Sequence, residues 1–306
     1  MVYKIVQKRG LSLSISGALV IASILALIFW GLNFGIDFKG GSLLEAEFGG
    51  YQPTIAEVQE SVSGVSLSNL VIQPTSDSLI LRFKESDEAT HQAVLTALEE
   101  LSAAREGADF KELRFDAVGP TIGQELKSKS FNATFIILIL IIVFISFVFR
   151  KVSRPVASWK YGIAAIIALV HDILITLGVF SVLGHFYGLE INTPFIAAIL
   201  TVLGYSVNDT IIVFDRIREN LPKSNQDFEN TVNLSVNQTL ARSINTSFSA
   251  ILALLAIIVL GGDTIKDFAL ALAIGIFIGT YSSIFIASPV LVIWQNLSRK
   301  LASKKA

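Results

Sequence analysis

Along this chain apolar residues gather into long runs rather than short amphipathic segments. Stretches without a charged side chain cover 10–36, 130–149, 243–262 and 268–298, each at least 20 residues long. About 20 apolar residues take a helix across a bilayer. Two further runs, 161–183 and 195–214, are broken only by His171 and Asp172 and by Asp209. The pattern predicts six membrane spans, at 11–34, 131–149, 161–183, 195–214, 244–260 and 268–294. Pro289 is expected to kink the last one. The pairs Gly31/Gly35 and Gly275/Gly279, the latter followed by Ser282, Ser283, Ala287 and Ser288, are candidate close-packing faces.

Between the first two spans, residues 37–130 read differently, and a loop of this length should fold. LLEAEF at 43–48 alternates as a half-buried strand does. Thr54 and Glu57 have the spacing of a capping box for a helix running to about residue 63. Segments 69–73 and 78–84 read as strands around a turn at 74–77. Ser86 is expected to open a second helix, with Ala89, Val94, Leu95, Leu98 and Leu101 on one face. A last strand covers 112–118. The order β-α-β-β-α-β predicts a small α+β, ferredoxin-like domain, a topology that proves no function and that suits a docking domain without chemistry of its own. The expected organisation is thus 1–36 as N-terminus and first span, 37–130 as a domain outside the cytoplasm, 131–298 as spans 2–6, and 299–306 as a basic cytoplasmic tail.

Composition agrees with a polytopic membrane protein. Hydrophobic residues make up 52% and charged residues 16%, with a mean hydropathy of +0.63, whereas soluble domains carry about 25% charged residues. This excludes a soluble enzyme, a nucleic-acid-binding module and a disordered scaffold. The basic leader (Lys4, Lys8, Arg9) looks like the start of a signal peptide. The run after it is too long and lacks a small-x-small cleavage site, so an uncleaved anchor is expected. With no cysteines, disulfides, thiol catalysis and cysteine-ligated metals are excluded. No HExxH or GxSxG motif is present, so neither an intramembrane enzyme nor a cofactor is expected.

Charge sets the expected orientation. The N-terminus, the 2–3 turn, the 4–5 loop and the C-terminus hold fifteen Lys and Arg, while the two short loops opposite hold only Lys266. By the positive-inside rule both termini are cytoplasmic. The 37–130 segment carries 16 acids and 8 bases.

Ionisable groups inside spans are costly and by default functional. Asp209 lies ~21 Å along its helix from Phe195 at 1.5 Å per residue, in the cytoplasmic half. It is either a proton-exchanging group or a polar plug hydrogen-bonded by Asn208 or Thr210. Arg242, before the polar run Ser243, Asn245, Thr246, Ser247 and Ser249, either snorkels to the headgroups or reaches Asp209. Asp172 sits mid-span, open between the same two roles. His171 beside it points about 100° away and is not expected to pair with it; it reads as a polar residue facing a neighbouring helix. Asp215, Arg216, Arg218 and Glu219 read as interfacial anchors.

GIDFKGG (35–41), VHD (170–172), GYSVNDTIIVFDRIREN (204–220), ARSINTS (241–247) and GTYSSIFIASP (279–289) together closely resemble the SecF branch of the SecD/SecF protein-export family, in the resistance–nodulation–division superfamily. The resemblance covers essentially the whole chain. It implies a SecD partner, docking to the SecYEG channel and to other accessory translocase membrane proteins, contact with translocating preproteins, and use of the proton-motive force. It also implies Asp209 and Arg242, with Asp172, as proton-pathway residues, and Asn208, Thr210, His171 and Asn245 as polar support. The competing reading is half of a small-molecule/proton antiporter of the same superfamily. Such pumps usually have twelve spans and two large loops, against six and one here.

Overall fold

The computed structural model describes residues 2–75, 78–105, 107–148 and 156–303. The tail end 304–306, residues 76 and 77 of the expected 74–77 turn, and Arg150, Lys151 and Arg154 of the basic 2–3 turn lie outside the described residues. The chain divides into two compact units, 34–131 and the remainder.

Six helical stretches are long and apolar enough to cross a membrane: α1 (Arg9–Phe29), α5 (Pro120–Val148), α6 (Ser158–Tyr187), α7 (Thr193–Asn220), α8 (Phe228–Leu260), and α9 (Asp263–Ser282) continued through a π-helical turn (Ser283–Ala287) into α10 (Ser288–Ser303). The chain is therefore a multi-pass membrane protein. In α6, α7 and the α9–α10 stretch, half or more of the apolar window is buried, against 6% in α5. The first three make the centre. Close approach there depends on glycine. A Cβ on Gly275 would stand 2.3 Å from a Val202 methyl of α7, and one on Gly178 of α6 would stand 2.3 Å from Ser23 Cβ of α1.

Several boundaries differ from the sequence reading. The first span was expected to reach residue 34 but stops at Phe29. Gly31 adopts φ +68°, and its N–H bonds back to the Leu27 carbonyl, a left-handed stop that glycine takes without a Cβ clash. Gly31 and Gly35 therefore lie outside the helix, unlike the Gly275/Gly279 pair. α5 and α8 start well before residues 131 and 244, because their polar first turns are good helix formers or are capped. The Asp227 carboxylate accepts from the Asn230 N–H at the start of α8. Asn233, in the polar first turns of α8, accepts from the backbone N–H groups of Ile5 and Val6 and so anchors the basic leader.

The π turn has a local cause. Pro289 has no N–H to give the Phe285 carbonyl one turn earlier, and Ser12 Oγ of α1 donates to that oxygen instead at 3.2 Å. The expected irregularity at Pro289 is thus a π bulge.

The 34–131 unit contains a four-stranded sheet in the order β2-β3-β1-β4, every neighbour antiparallel, from β1 (Gly41–Gly49), β2 (Val71–Pro74), β3 (Leu79–Phe83) and β4 (Asp109–Val118). Its helices are the short α2 (Ile36–Lys39), then α3 (Ile55–Ser61) and α4 (Glu88–Ala103). Leu44, Ala46, Leu79 and Leu81 pack against Val58 of α3 and Val94 and Leu98 of α4. The Thr54–Glu57 capping box is present. α4 is capped by Asp87 rather than Ser86, because the Asp87 carboxylate accepts from the Thr90 N–H. Its inner face is His91, Val94, Leu98 and Ser102, while Ala89, expected inside, is exposed.

Candidate functional site

The polar groups buried among the central helices form two arrangements around the two aspartates. Asp172 of α6 is fully buried. One carboxylate oxygen accepts from Ser206 Oγ of α7 at 2.6 Å and from Ser282 Oγ of α9 at 2.8 Å. The other lies 2.9 Å from His171 Nδ1. The expectation that His171 and Asp172 do not pair is thereby corrected. Helical neighbours diverge at Cβ, but the imidazole, whose Nε2 has no other partner, swings Nδ1 to the free carboxylate oxygen. His171 Nε2 is buried without a hydrogen-bond partner, and the ring lies roughly parallel to Tyr281, with centroids 6.3 Å apart.

Asp209 of α7 is also buried, but more sparsely held. Oδ1 accepts from Ser243 Oγ of α8 at 2.5 Å, and Oδ2 has no hydrogen-bond partner. Neither partner foreseen from sequence supplies the contact. Asn208 is exposed on the opposite side of α7, and Thr210 bonds Ser283 of the π turn at 2.8 Å. Arg242 and Asn245 are exposed on α8. Arg242 makes no ion pair with Asp209 among the described residues, and its charge acts on the carboxylate from a distance. The residue after it carries the contact, since a helix turn of 100° per residue points Ser243 inward.

The two arrangements are linked. Ser206, which donates to Asp172, precedes Asp209 by three residues on the same helix, and its carbonyl accepts from Ser283 Oγ at 3.4 Å. Ser283 in turn meets Thr210. Beside it, Ser247 and Thr280 pair at 2.5 Å, and Tyr205 donates to Ser247 at 3.2 Å. A hydroxyl-lined seam thus runs through α6, α7, α8 and α9. Ser206, Ser243, Ser282, Ser283 and Thr280 went unassigned in the sequence reading. For all but Ser206 the signal was present in the small polar residues of ARSINTS and GTYSSIF, read there only as packing and polar runs.

The geometry distinguishes what each acid can do. Asp172 has partners on both oxygens, the Ser206 and Ser282 hydroxyls on one and His171 Nδ1 on the other, which holds the carboxyl group in one place. Asp209 has one donor and one bare oxygen, so a proton can be added without displacing an existing bond. Among the described residues no group of three His, Asp or Glu is placed to hold a metal ion.

Residues 98–297 match the family described as "Protein export membrane protein SecD/SecF, C-terminal", and residues 26–50 match the "SecD/SecF GG Motif". Protein translocase subunit SecF from Thermobaculum terrenum is 41% identical over 305 residues, covering 95% of this chain and 94% of that protein. The subunit from Anaerolinea thermophila is 40% identical over 296 residues, with the same two coverages. Among solved structures, SecDF from Thermus thermophilus, a translocon-associated membrane protein, superposes with TM-score 0.79 at 33% identity. The match covers 94% of this chain and 38% of that one, so this chain spans well under half of it.

Proposed function

The chain belongs to the SecD/SecF family of protein-export membrane proteins, and on that premise we propose that it is the SecF-type subunit of a translocase, working with SecD at the SecYEG channel. In this reading it uses the proton-motive force to promote late movement of preproteins across the membrane. Asp209 takes up and releases the proton, Arg242 tunes it through its field, and Asp172 with His171 braces the helices around it. Thr210 belongs to the seam, and Asn208 and Asn245 lie on the exposed faces beside it.

The observation that carries the proposal is the Asp209 carboxylate, buried in a span with one oxygen bonded and the other bare. A proton moving through about 100 mV releases roughly 2.3 kcal/mol, which biases a two-state rocking step about fifty-fold. Orientation follows the positive-inside rule, with both termini cytoplasmic, the 37–130 domain outside and the 299–306 tail inside. That domain we read as ferredoxin-like, supported by its strand order and two helices. The test is Asp209→Asn in membrane vesicles with a controlled proton gradient. The variant should insert and assemble yet lose the gradient-dependent part of preprotein translocation, with Asp209→Glu retaining some. Wild-type translocation by Asp209→Asn across a range of potentials would reject the proposal.

A further inference from the structure

Outside the membrane helices one buried titratable group has no part in the reading above. His91, in the first turns of α4, is 6% exposed and turned toward the sheet. Its ring stacks on Phe115 of β4, with centroids 3.6 Å apart and planes 4° from parallel. Nδ1 lies 3.2 Å from Glu88 Oε1, and Nε2 lies 3.2 Å from Glu112 Oε1.

Both ring nitrogens thus face carboxylates. A neutral imidazole has one N–H and one lone pair, whereas the imidazolium has two N–H groups. An ionised carboxylate only accepts. In neutral His91 one contact is a hydrogen bond and the other sets a lone pair against a carboxylate oxygen. Only the protonated ring satisfies both. Glu88 is ionised at neutral pH, because the Gln92 amide and then His91 hold its carboxyl below the usual carboxylate range.

The strand supplies its part through an irregularity. Glu45 of β1 pairs with Arg114 and Ala46 with Glu112, so Leu113 is an extra, bulged residue. Simple alternation would put Glu112 and Phe115 on opposite faces. The bulge turns both toward the helices, opposite Ala46 and Leu44 of the core. Ring stack and carboxylate thereby meet at one imidazole.

Of the charges on the other elements around α4, Glu60 of α3 and Asp109 and Lys111 of β4 are exposed. The turn at 62–64 carries none, and Glu57 of α3 pairs with Arg105. On β4, Arg114 pairs with Asp116.

We propose that His91 is a proton-binding site of the 34–131 domain, whose imidazolium form bonds Glu88 of its own helix through Nδ1 and ties α4 to Glu112 of β4 through Nε2. Binding of one proton converts one hydrogen bond and one repulsive contact into two charge-assisted bonds, one within α4 and one from α4 to β4, and release reverses this. The proposal does not depend on the transport reading. Orientation decides only from which compartment the proton comes.

The test is hydrogen exchange of the full-length protein in nanodiscs, at about pH 5.5 and about pH 8, on either side of the ordinary imidazole range. Wild type and His91→Gln are compared at each pH on peptides of β4, whose sequence the substitution leaves unchanged. The slowing of exchange in wild type relative to the variant should be about tenfold greater at the lower pH, as expected for a gained charge-assisted bond. Glu112→Gln, at a partly exposed position, removes the β4 carboxylate and should cut that pH dependence on α4 peptides to what the Glu88 contact alone supplies. An equal wild-type-to-variant ratio at both pH values would reduce His91 to a packing partner of Phe115 and overturn the proposal. So would pH dependence of wild-type size in Glu112→Gln.

Discussion

Asp172 and Asp209 lie on neighbouring helices of one bundle, are both buried, and differ in company. The first meets three polar partners, from its own helix, α7 and α9. The second meets one, from α8, and keeps an oxygen bare. A carboxyl group bonded on both oxygens is held in one place. One that is half satisfied can change its protonation with less rearrangement. In-membrane acids are therefore not equivalent evidence of ion movement, because the number of partners differs between them and bears on how readily each can change protonation.

The largest test of this difference is Asp172→Ala. It strands Ser206, Ser282 and His171 in a buried site, where loss of one charged partner costs about 3–5 kcal/mol. Thermal unfolding in detergent should show that loss, and a change under about 1 kcal/mol would erase the distinction. Asp209→Asn comes next. It keeps an acceptor for Ser243, so stability should fall by no more than about 1–2 kcal/mol in the same measurement, while gradient-driven translocation disappears. Destabilisation as large as that of Asp172→Ala would make Asp209 a second brace.

Ser243→Ala sharpens the comparison further. Removing the one donor should lower stability by about 1 kcal/mol and shift the pH profile of translocation, whereas Ser206→Ala, which leaves Asp172 two partners, should leave the profile in place. An unshifted profile in Ser243→Ala would show that its bond does not act on the working proton.

The smallest effect belongs to a surface acid. The Thr90 backbone N–H, then its hydroxyl, holds the Asp87 carboxyl below the usual carboxylate range. Because the folded value is lowered, its stabilisation is present at neutral pH and fades as pH falls through that lowered value. Asp87→Asn should therefore unfold with a flatter acid limb than wild type. An identical acid limb would mean that the cap carries no pH dependence.

Much of this was legible in the residues. The long apolar runs mark six spans because unpaired charge is costly in hydrocarbon. Thr54 and Glu57 marked a helix start because capping is local chemistry over four residues. The motifs carried the family, and the three ionisable residues inside the spans stood out by composition alone.

The partners of those residues did not follow. Ser243 is 34 positions from Asp209, and Ser282 is 110 from Asp172. Their meeting depends on helix rotation and on the close α7–α9 approach that Gly275 permits. Local reasoning even misplaced some of them, offering Asn208 and Thr210 to Asp209 and denying His171 to Asp172. The bulge at Leu113 likewise broke the alternation that would have kept Glu112 and Phe115 apart. Sequence by itself determined which segments enter the membrane and which groups there are chemically capable, because solvation and capping act within a few residues. Which acid is sealed and which is open was decided only by tertiary packing, because hydrogen bonds form between side chains that helix crossings bring together.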